Sequence, residues 1–336
     1  MKFLKAKQFF WTILEKASFL IPSATFRSIP AEIIMEPTNA CNLRCLLCPT
    51  HLIMKRERGF MRLELFKEVI DEFGNSSKKP QISFNFAGEP LLNKSLPEMI
   101  KYAKDSGHKT FVSTNATLLS EEAAEKIILS GLDSIHVCLD GFSKEAHESY
   151  RKGSVFEKVK ENIENFAKKR EALGRKNPLI CLQVLLTSYS ENQMDEMTQW
   201  ARNIGLDFVN FKTLSLGSYT SKETKDEVGY LLPKSDKFKR KISSIYKTIC
   251  RNPLHQAVVY WNGDLGLCCV DFDNALKLPN IKTEGFLKTY NSKKVIKLRK
   301  LGFRKETALC KGCSIGNADN VGFIVDLKYC DKKDNQ

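Results

Sequence analysis

The chain has 336 residues, 42% hydrophobic and 27% charged, the balance of a globular protein long enough for one large domain plus a small one. No apolar run approaches the ~20 residues that span a bilayer, and an N-terminus broken by Lys5, Lys7, Gln8, Glu15 and Lys16 makes a poor signal peptide. Eleven cysteines, an odd number clustered as CxxxCxxC and CxxC, argue against a secreted disulfide scaffold and for metal ligation in a reducing cytoplasm. The net charge of +14 would suit nucleic acid, an anionic membrane or solubility alone, and no zinc-finger, RRM or KH signature supports the first.

Residues 1–30 form a basic arm in which Lys2, Lys5, Lys7, Lys16 and Arg27 stand against the single acid Glu15. Within it Phe3, Ala6, Phe10, Ile13, Ala17 and Leu20 recur at helical spacing until Pro22. The spacing predicts a helix that packs across the main domain. A sharper reading lays residues 1–22 on a membrane surface or a partner.

From residue 31 to about 214, β-rich runs alternate with amphipathic ones. Strands are predicted over 31–35, 81–86, 109–113, 134–139, 179–185 and 207–211, and helices over 63–73, 96–106, 120–129, 155–172 and 191–203. Ser120 before Glu121 and Glu122 reads as a helix start, and Gly107, Gly131 and Gly205 read as left-handed caps. The alternation predicts an α/β protein with a parallel sheet, open or curled into part of a barrel, that binds ligands at the C-terminal ends of its strands. Beyond 215 the pattern changes. A hairpin with arms 257–261 and 265–270 around Asn262-Gly263, a helix over 292–301 capped by Gly302, and a polar tail from Asp331 to Gln336 predict a smaller, cysteine-rich domain over 215–336.

Cys41, Cys45 and Cys48 follow the first predicted strand directly. Three thiolates at these spacings can converge on one metal centre. It could be zinc, completed by nearby His51, or a four-iron cluster that keeps one iron without a protein ligand. Cys310-Lys311-Gly312-Cys313 says little by itself, and Cys138 and Cys181 read as small core residues within strands.

The motif Cys41-x3-Cys45-x2-Cys48, in its Cys-Asn-Leu-x-Cys form, resembles the cluster motif of the radical S-adenosylmethionine (SAM) enzymes. Ala87-Gly88-Glu89-Pro90 resembles the family's Gly-Gly-Glu-Pro segment, Ser113-Thr114-Asn115 its Thr-Asn-Gly segment, and Leu139-Asp140-Gly141 its Ser-Leu-Asp-Gly segment, each at a predicted strand end. Two positions depart from that pattern: Ala87 replaces a glycine, and Ala116 stands where one is usual. The resemblance implies a partial (β/α)6 TIM-like barrel over 31–214. It implies a [4Fe–4S] cluster on Cys41, Cys45 and Cys48 that binds SAM, cleaved by an electron from an external reductant such as flavodoxin or ferredoxin to a 5′-deoxyadenosyl radical. Leu47, Ala87, Gly88, Glu89, Pro90, Ser113, Asn115 and Asp140 are then expected at the cofactor. Cys250-x12-Gly263-x4-Cys268, with Cys310 and Cys313, resembles a shortened SPASM domain of the twitch kind, a small α+β iron–sulfur domain. It implies one auxiliary [4Fe–4S] cluster on Cys250, Cys268, Cys310 and Cys313, with Cys269 as the rival to Cys268.

Single-cluster relatives include dehydrogenases of cyclitol hydroxyls, so the resemblance implies a sugar-, cyclitol- or lipid-like substrate, small or lipid-linked. His136, His255, Arg251 and Lys212 are candidates for a base, and Lys212, Ser215, Arg251 and His255 for substrate contacts. The segment before Cys41 is expected to be too short for a precursor-binding domain of ~80 residues. The rival readings are a peptide-modifying maturase and a non-catalytic electron carrier. A cytoplasmic location is expected, with peripheral contact at the inner face of the membrane through residues 1–22 as the sharper alternative.

Overall fold

The computed structural model describes residues 28–217, 221–240, 249–310, 313 and 322–328. The helix expected within residues 1–22, Cys330 and the tail over 331–336 lie outside the described residues. Six strands form where the sequence placed them: β1 Glu32–Met35, β2 Gln81–Phe84, β3 Thr110–Thr114, β4 Ser134–Cys138, β5 Leu179–Leu186 and β6 Phe208–Thr213. They pair in chain order, each parallel to the next. The intervening helices are Leu63–Asp71, Leu96–Asp105, Glu121–Leu129, Phe156–Ala172 and Met194–Asn203.

Strand alternation divides the sheet into two unlike faces. Val112, Ile135, Val137, Ile180, Leu182, Val184, Val209 and Phe211 share one core with the helix residues Phe66, Ile100, Ile127, Ile163 and Met197. Their neighbours in sequence, among them Ser113, His136, Gln183 and Lys212, point the other way. A parallel sheet with its helices on a single face curls into a barrel wall rather than a doubly wound sandwich.

The helix expected from residue 191 begins three residues later. The Glu191 carboxylate is taken up by the Lys234 and Ser235 backbone N–H groups (2.8 and 3.0 Å), which holds residues 187–193 in turns. The helix Lys144–Tyr150, opened by the Ser143 hydroxyl accepting from Ala146 N (3.1 Å), was not foreseen.

The segment after residue 215 does not stand apart from the sheet. β7 (Gln256–Val259) lies parallel to β1, with Glu32 opposite Gln256, and β8 (Leu265–Gly266) returns antiparallel to β7. β9 (Gly322–Asp326) pairs antiparallel with β6, giving the order β8-β7-β1-β2-β3-β4-β5-β6-β9. Both strands that would have been bare edges are thereby covered. The second hairpin arm stops at Gly266, where a Cβ would meet the Tyr260 hydroxyl at 2.9 Å. Gly302 does not cap the late helix, which runs over Lys293–Phe303. Its missing side chain lets Pro253 pack where a Cβ would come within 2.9 Å. Among the described residues no helix is long and apolar enough to cross a membrane.

Candidate active site

Cys41, Cys45 and Cys48 lie on the loop that leaves the C-terminal end of β1. The loop is pinned across the strand ends by Arg44 N donating to Lys152 O (2.9 Å) and Leu46 N to Tyr150 O (3.1 Å). Cys48 N donates back to Cys45 O (3.1 Å), and a short helix, Pro49–Leu52, starts at Cys48. The Leu43 N–H points at Cys41 Sγ (3.4 Å), a donor that favours a thiolate there. Burial pushes the Cys41 thiol up to about 11 and Cys45 up to about 12, with the neighbouring thiols adding to both. Thiols raised in this way become thiolates when a cationic centre draws off their protons. Among the described residues no three His, Cys, Asp or Glu side chains converge to hold a single metal ion. In a cluster each thiolate takes its own iron, so the thiols can stand further apart.

Gly88 sets the floor of the loop. It has φ +75°, and a Cβ there would come within 2.5 Å of the carbonyl oxygens of Thr38 and Ala40. Glu89 N then donates to Ala40 O (2.8 Å). The Glu89 carboxylate is fully engaged by the protein: it accepts from Leu91 N (3.1 Å), Thr114 Oγ1 (2.6 Å) and Asn115 N (2.8 Å). Burial raises its pKa against those donors. Glu89 thus ties the end of β2 to the end of β3, and Pro90 opens the short turn that follows. Asn115 donates to Asn42 Oδ1 (3.0 Å) with Cys41 Sγ at 4.0 Å, so it orders the thiol loop from the side. Ala116 has φ +59°, which is the physical reason a glycine would be at ease there.

Asp140 is completely buried and is also spent on protein partners. It pairs with Arg151 Nε at 2.6 Å and accepts from Leu185 N at 2.9 Å. The Arg151 charge works against burial at both Cys41 and Cys45. His147 Nδ1 accepts from Asp140 N (3.2 Å), and its Nε2 meets Ser154 Oγ (2.8 Å). Sequence reasoning missed this trio. Its signal was there: His147 and Arg151 stand four apart behind the Ser143 cap, seven and eleven residues after Asp140.

The other candidates scatter more widely. Leu47, expected at the cofactor, is buried in an apolar cluster with Leu214, Val228 and Leu231. Ala87 is buried, and Ser113 faces Cys138 at 4.0 Å. Lys212 is exposed near the C-terminal end of β6, and Ser215 Oγ accepts from Gly217 N (3.2 Å) just beyond it. His255 and Arg251 are not brought to that end. The parallel pairing of β7 with β1 fixes the helix Asn252–His255 at the strand starts, where His255 O accepts from Ala31 N (2.7 Å).

Cys250, Cys268, Cys310 and Cys313 line one cavity, whose other walls include Pro253, Leu267 and Leu298. The Cys310 turn closes with Cys313 N donating to Cys310 O (3.2 Å), and Cys250 N is anchored on Phe303 O (2.7 Å). Cys269 lies outside that lining, against Ile34, Val258 and Tyr260, where it accepts from Asn252 Nδ2 (3.4 Å). Four thiols around an apolar hollow suit a fully ligated iron–sulfur cluster.

Two family models match the chain. The one described as Radical SAM superfamily covers residues 35–201, and the one described as iron–sulfur cluster-binding domain (SPASM) covers residues 250–314. The tungsten-containing aldehyde ferredoxin oxidoreductase cofactor-modifying protein of Pyrococcus furiosus is 29% identical over 177 residues, 52% of this chain. The match spans 49% of that relative, about half its length. Among solved structures, BtrN in complex with AdoMet and 2-DOIA is similar at a TM-score of 0.53 and 19% identity, covering 87% of this chain and 94% of its own. Streptococcus suis SuiB bound to precursor peptide SuiA is similar at a TM-score of 0.63 and 16% identity, covering 89% of this chain and 73% of its own. At these identities the structures show a shared fold.

Proposed function

The chain belongs to the radical SAM superfamily and carries a C-terminal SPASM-type iron–sulfur domain, and from that premise we propose that it abstracts hydrogen from a small sugar-, cyclitol- or lipid-like molecule. The observation that carries the reading is the thiol loop at the end of β1, braced by Gly88, Asn115 and the Arg151 segment, beside a separate cage of four thiols. Cys41, Cys45 and Cys48 would hold the first cluster and Cys250, Cys268, Cys310 and Cys313 the auxiliary one. A [4Fe–4S] cluster held by these three thiolates would supply the electron for reductive cleavage of SAM and so the hydrogen-abstracting chemistry. The protein supplies position and charge. Gly88 lets backbone approach the loop, Glu89 and Asn115 lock its height, and Arg151 offsets negative charge at the thiols.

Anaerobic reconstitution with iron and sulfide counting, followed by reduction in the presence of SAM, tests the reading. Release of 5′-deoxyadenosine is expected; two intact clusters without it would favour an electron carrier. Complete thiolate ligation of the second cage fits electron transfer rather than substrate binding. A Cys310→Ala variant that lost the auxiliary cluster yet turned over at the wild-type rate would rule that role out. An external one-electron reductant of the flavodoxin or ferredoxin kind is the partner this chemistry requires. Contact of residues 1–22 with a membrane rests on their basic, apolar sequence. Deleting them should weaken binding to anionic vesicles, and unchanged binding would remove the argument.

A further inference from the structure

The late helix Lys293–Phe303 gathers its charge on one side. Lys293, Lys297, Lys300 and Arg304 follow one another at spacings of four, three and four, within about 60° around the axis. The opposite side, with Val295, Arg299, Gly302 and Phe303, is buried. Arg299 holds it there, donating from Nε to Pro253 O (3.1 Å) with its guanidinium 4.1 Å over the Tyr290 ring. The basic side is thereby turned outward, and Lys293, Lys297 and Arg304 are exposed.

A helix face that only meets water usually mixes both signs. The helix Phe156–Ala172 does so, with Lys158 on Glu161 (3.0 Å), Lys160 on Glu164 (3.1 Å) and Lys169 on Glu121 (2.7 Å). From Gly285 to Lys305 the chain has eight Lys and Arg and no acid. Among the described residues Lys293, Lys297 and Arg304 pair with no carboxylate. Lys293 and Lys294 also stand in the first turn, where the helix dipole opposes a cation, so their placement does not serve helix stability.

The basic arm adjoins this helix. Asn291, just before its Ser292 cap, donates from Nδ2 to Ser28 O (2.9 Å), so the chain enters the described structure beside the helix start. The preceding residues combine Lys2, Lys5, Lys7, Lys16 and Arg27 with an apolar pattern at helical spacing. Charge alone would suit an acidic protein or a nucleic acid. Charge joined to apolar side chains suits the interface of an anionic bilayer. We infer that the Lys293–Arg304 face is the folded half of a surface for anionic phospholipid, an extension that rests on the membrane contact proposed for residues 1–22.

The test is anaerobic sedimentation of the full, cluster-loaded chain with vesicles of about one part phosphatidylglycerol to three of phosphatidylcholine, beside pure phosphatidylcholine. The double variant Lys293→Gln/Lys297→Gln should bind the anionic vesicles about tenfold more weakly than wild type or worse. Lys293→Arg/Lys297→Arg should retain the binding, and ~0.5 M salt should erase the difference between variants. No binding by the wild type, or equal binding by wild type and the Gln variant, would overturn the inference. A larger loss on duplex DNA or polyglutamate than on vesicles would overturn the assignment to lipid. Deletion of residues 1–22 is measured alone and together with the Gln variant. Binding lost on deletion but untouched by the Gln variant removes the helix face and leaves the arm. Binding untouched by deletion but lost in the Gln variant supports the helix face and removes the arm.

Discussion

Arg56 grips Glu36 with both arms of its guanidinium, Nη2 at 2.6 Å from Oε1 and Nη1 at 3.0 Å from Oε2. Glu36 directly follows β1 and is completely buried; Arg56 lies eight residues past the third thiol and is 12% exposed. The same guanidinium donates to Phe272 O (2.8 Å) and sits 4.4 Å over the Tyr260 ring, and Trp261 N donates to Glu36 (3.1 Å). One ion pair thus joins the thiol loop to the hairpin that carries Cys268.

Arg56→Met should therefore be strongly destabilising. Burial already raises the Glu36 pKa, and without Arg56 the carboxylate has lost its main source of compensation. Removing one partner of a buried pair costs about 3–5 kcal/mol. The double variant Glu36→Gln/Arg56→Met, which leaves no uncompensated charge, should lose less than Arg56→Met alone. Urea unfolding of these two variants and of Glu36→Gln alone measures this, and purely additive losses would show that the pair is not coupled.

Gly88→Ala tests the brace beneath the loop. The added methyl would meet two backbone carbonyls at 2.5 Å, and φ +75° is itself unfavourable for alanine. Neither obstacle is a side chain that can swing away. A loss of about 2 kcal/mol or more is expected. Iron bound after reconstitution should fall at the first site and hold at the second. Full iron content with an unchanged unfolding midpoint would show that the loop tolerates the clash.

The parts of the site that sequence could reveal are those set by local spacing. The cysteine intervals, the β-rich runs and the glycine at 88 each carry their reason within a few residues, and the structure places Cys41, Cys45 and Cys48 beyond the end of β1 and Gly88 beyond the end of β2. Long-range pairing is different. Nothing near Glu36 announces Arg56, and nothing near Asp140 announces that its carboxylate holds Arg151 rather than a ligand. The hairpin around Gly263 was legible as a hairpin. Its docking on β1 was not, because any strand with a free edge could have received it.

Cys268 and Cys269, whose side chains hydrogen-bond one another, differ in their surroundings. Cys268 lines the cavity with Cys250, Cys310 and Cys313, whereas Cys269 packs against Ile34 and Tyr260. Cys268→Ser should lose the auxiliary cluster, cutting iron per chain to about half, with Cys269→Ser keeping both clusters. The reverse pattern of iron and sulfide counts would assign the ligand to Cys269.

His147, fully buried, and His136, partly buried, make stability depend on acidity. Burial, foremost, lowers both His136 and His147 to about 4, while an unfolded histidine titrates near 6.5. Between those values the unfolded chain binds the more protons, so acidification favours unfolding and the stabilising contribution of each neutral ring is lost as pH falls from 6.5 toward 4. Carboxylates are shifted with both signs, Glu36 and Glu89 raised by burial and Asp207 lowered, so whole-protein stability alone would blur the effect. The comparison with His147→Gln isolates it. At pH 7 the variant should be less stable, because glutamine cannot reproduce both the Asp140 N and Ser154 Oγ contacts. As pH falls from 6.5 to 4.5 the gap should close with a slope approaching ~1.4 kcal/mol per pH unit. His136→Gln should behave the same way through its bond to Gln183. Urea unfolding at half-unit pH steps measures both gaps, and a gap independent of pH would mean that the ring is already protonated in the folded chain.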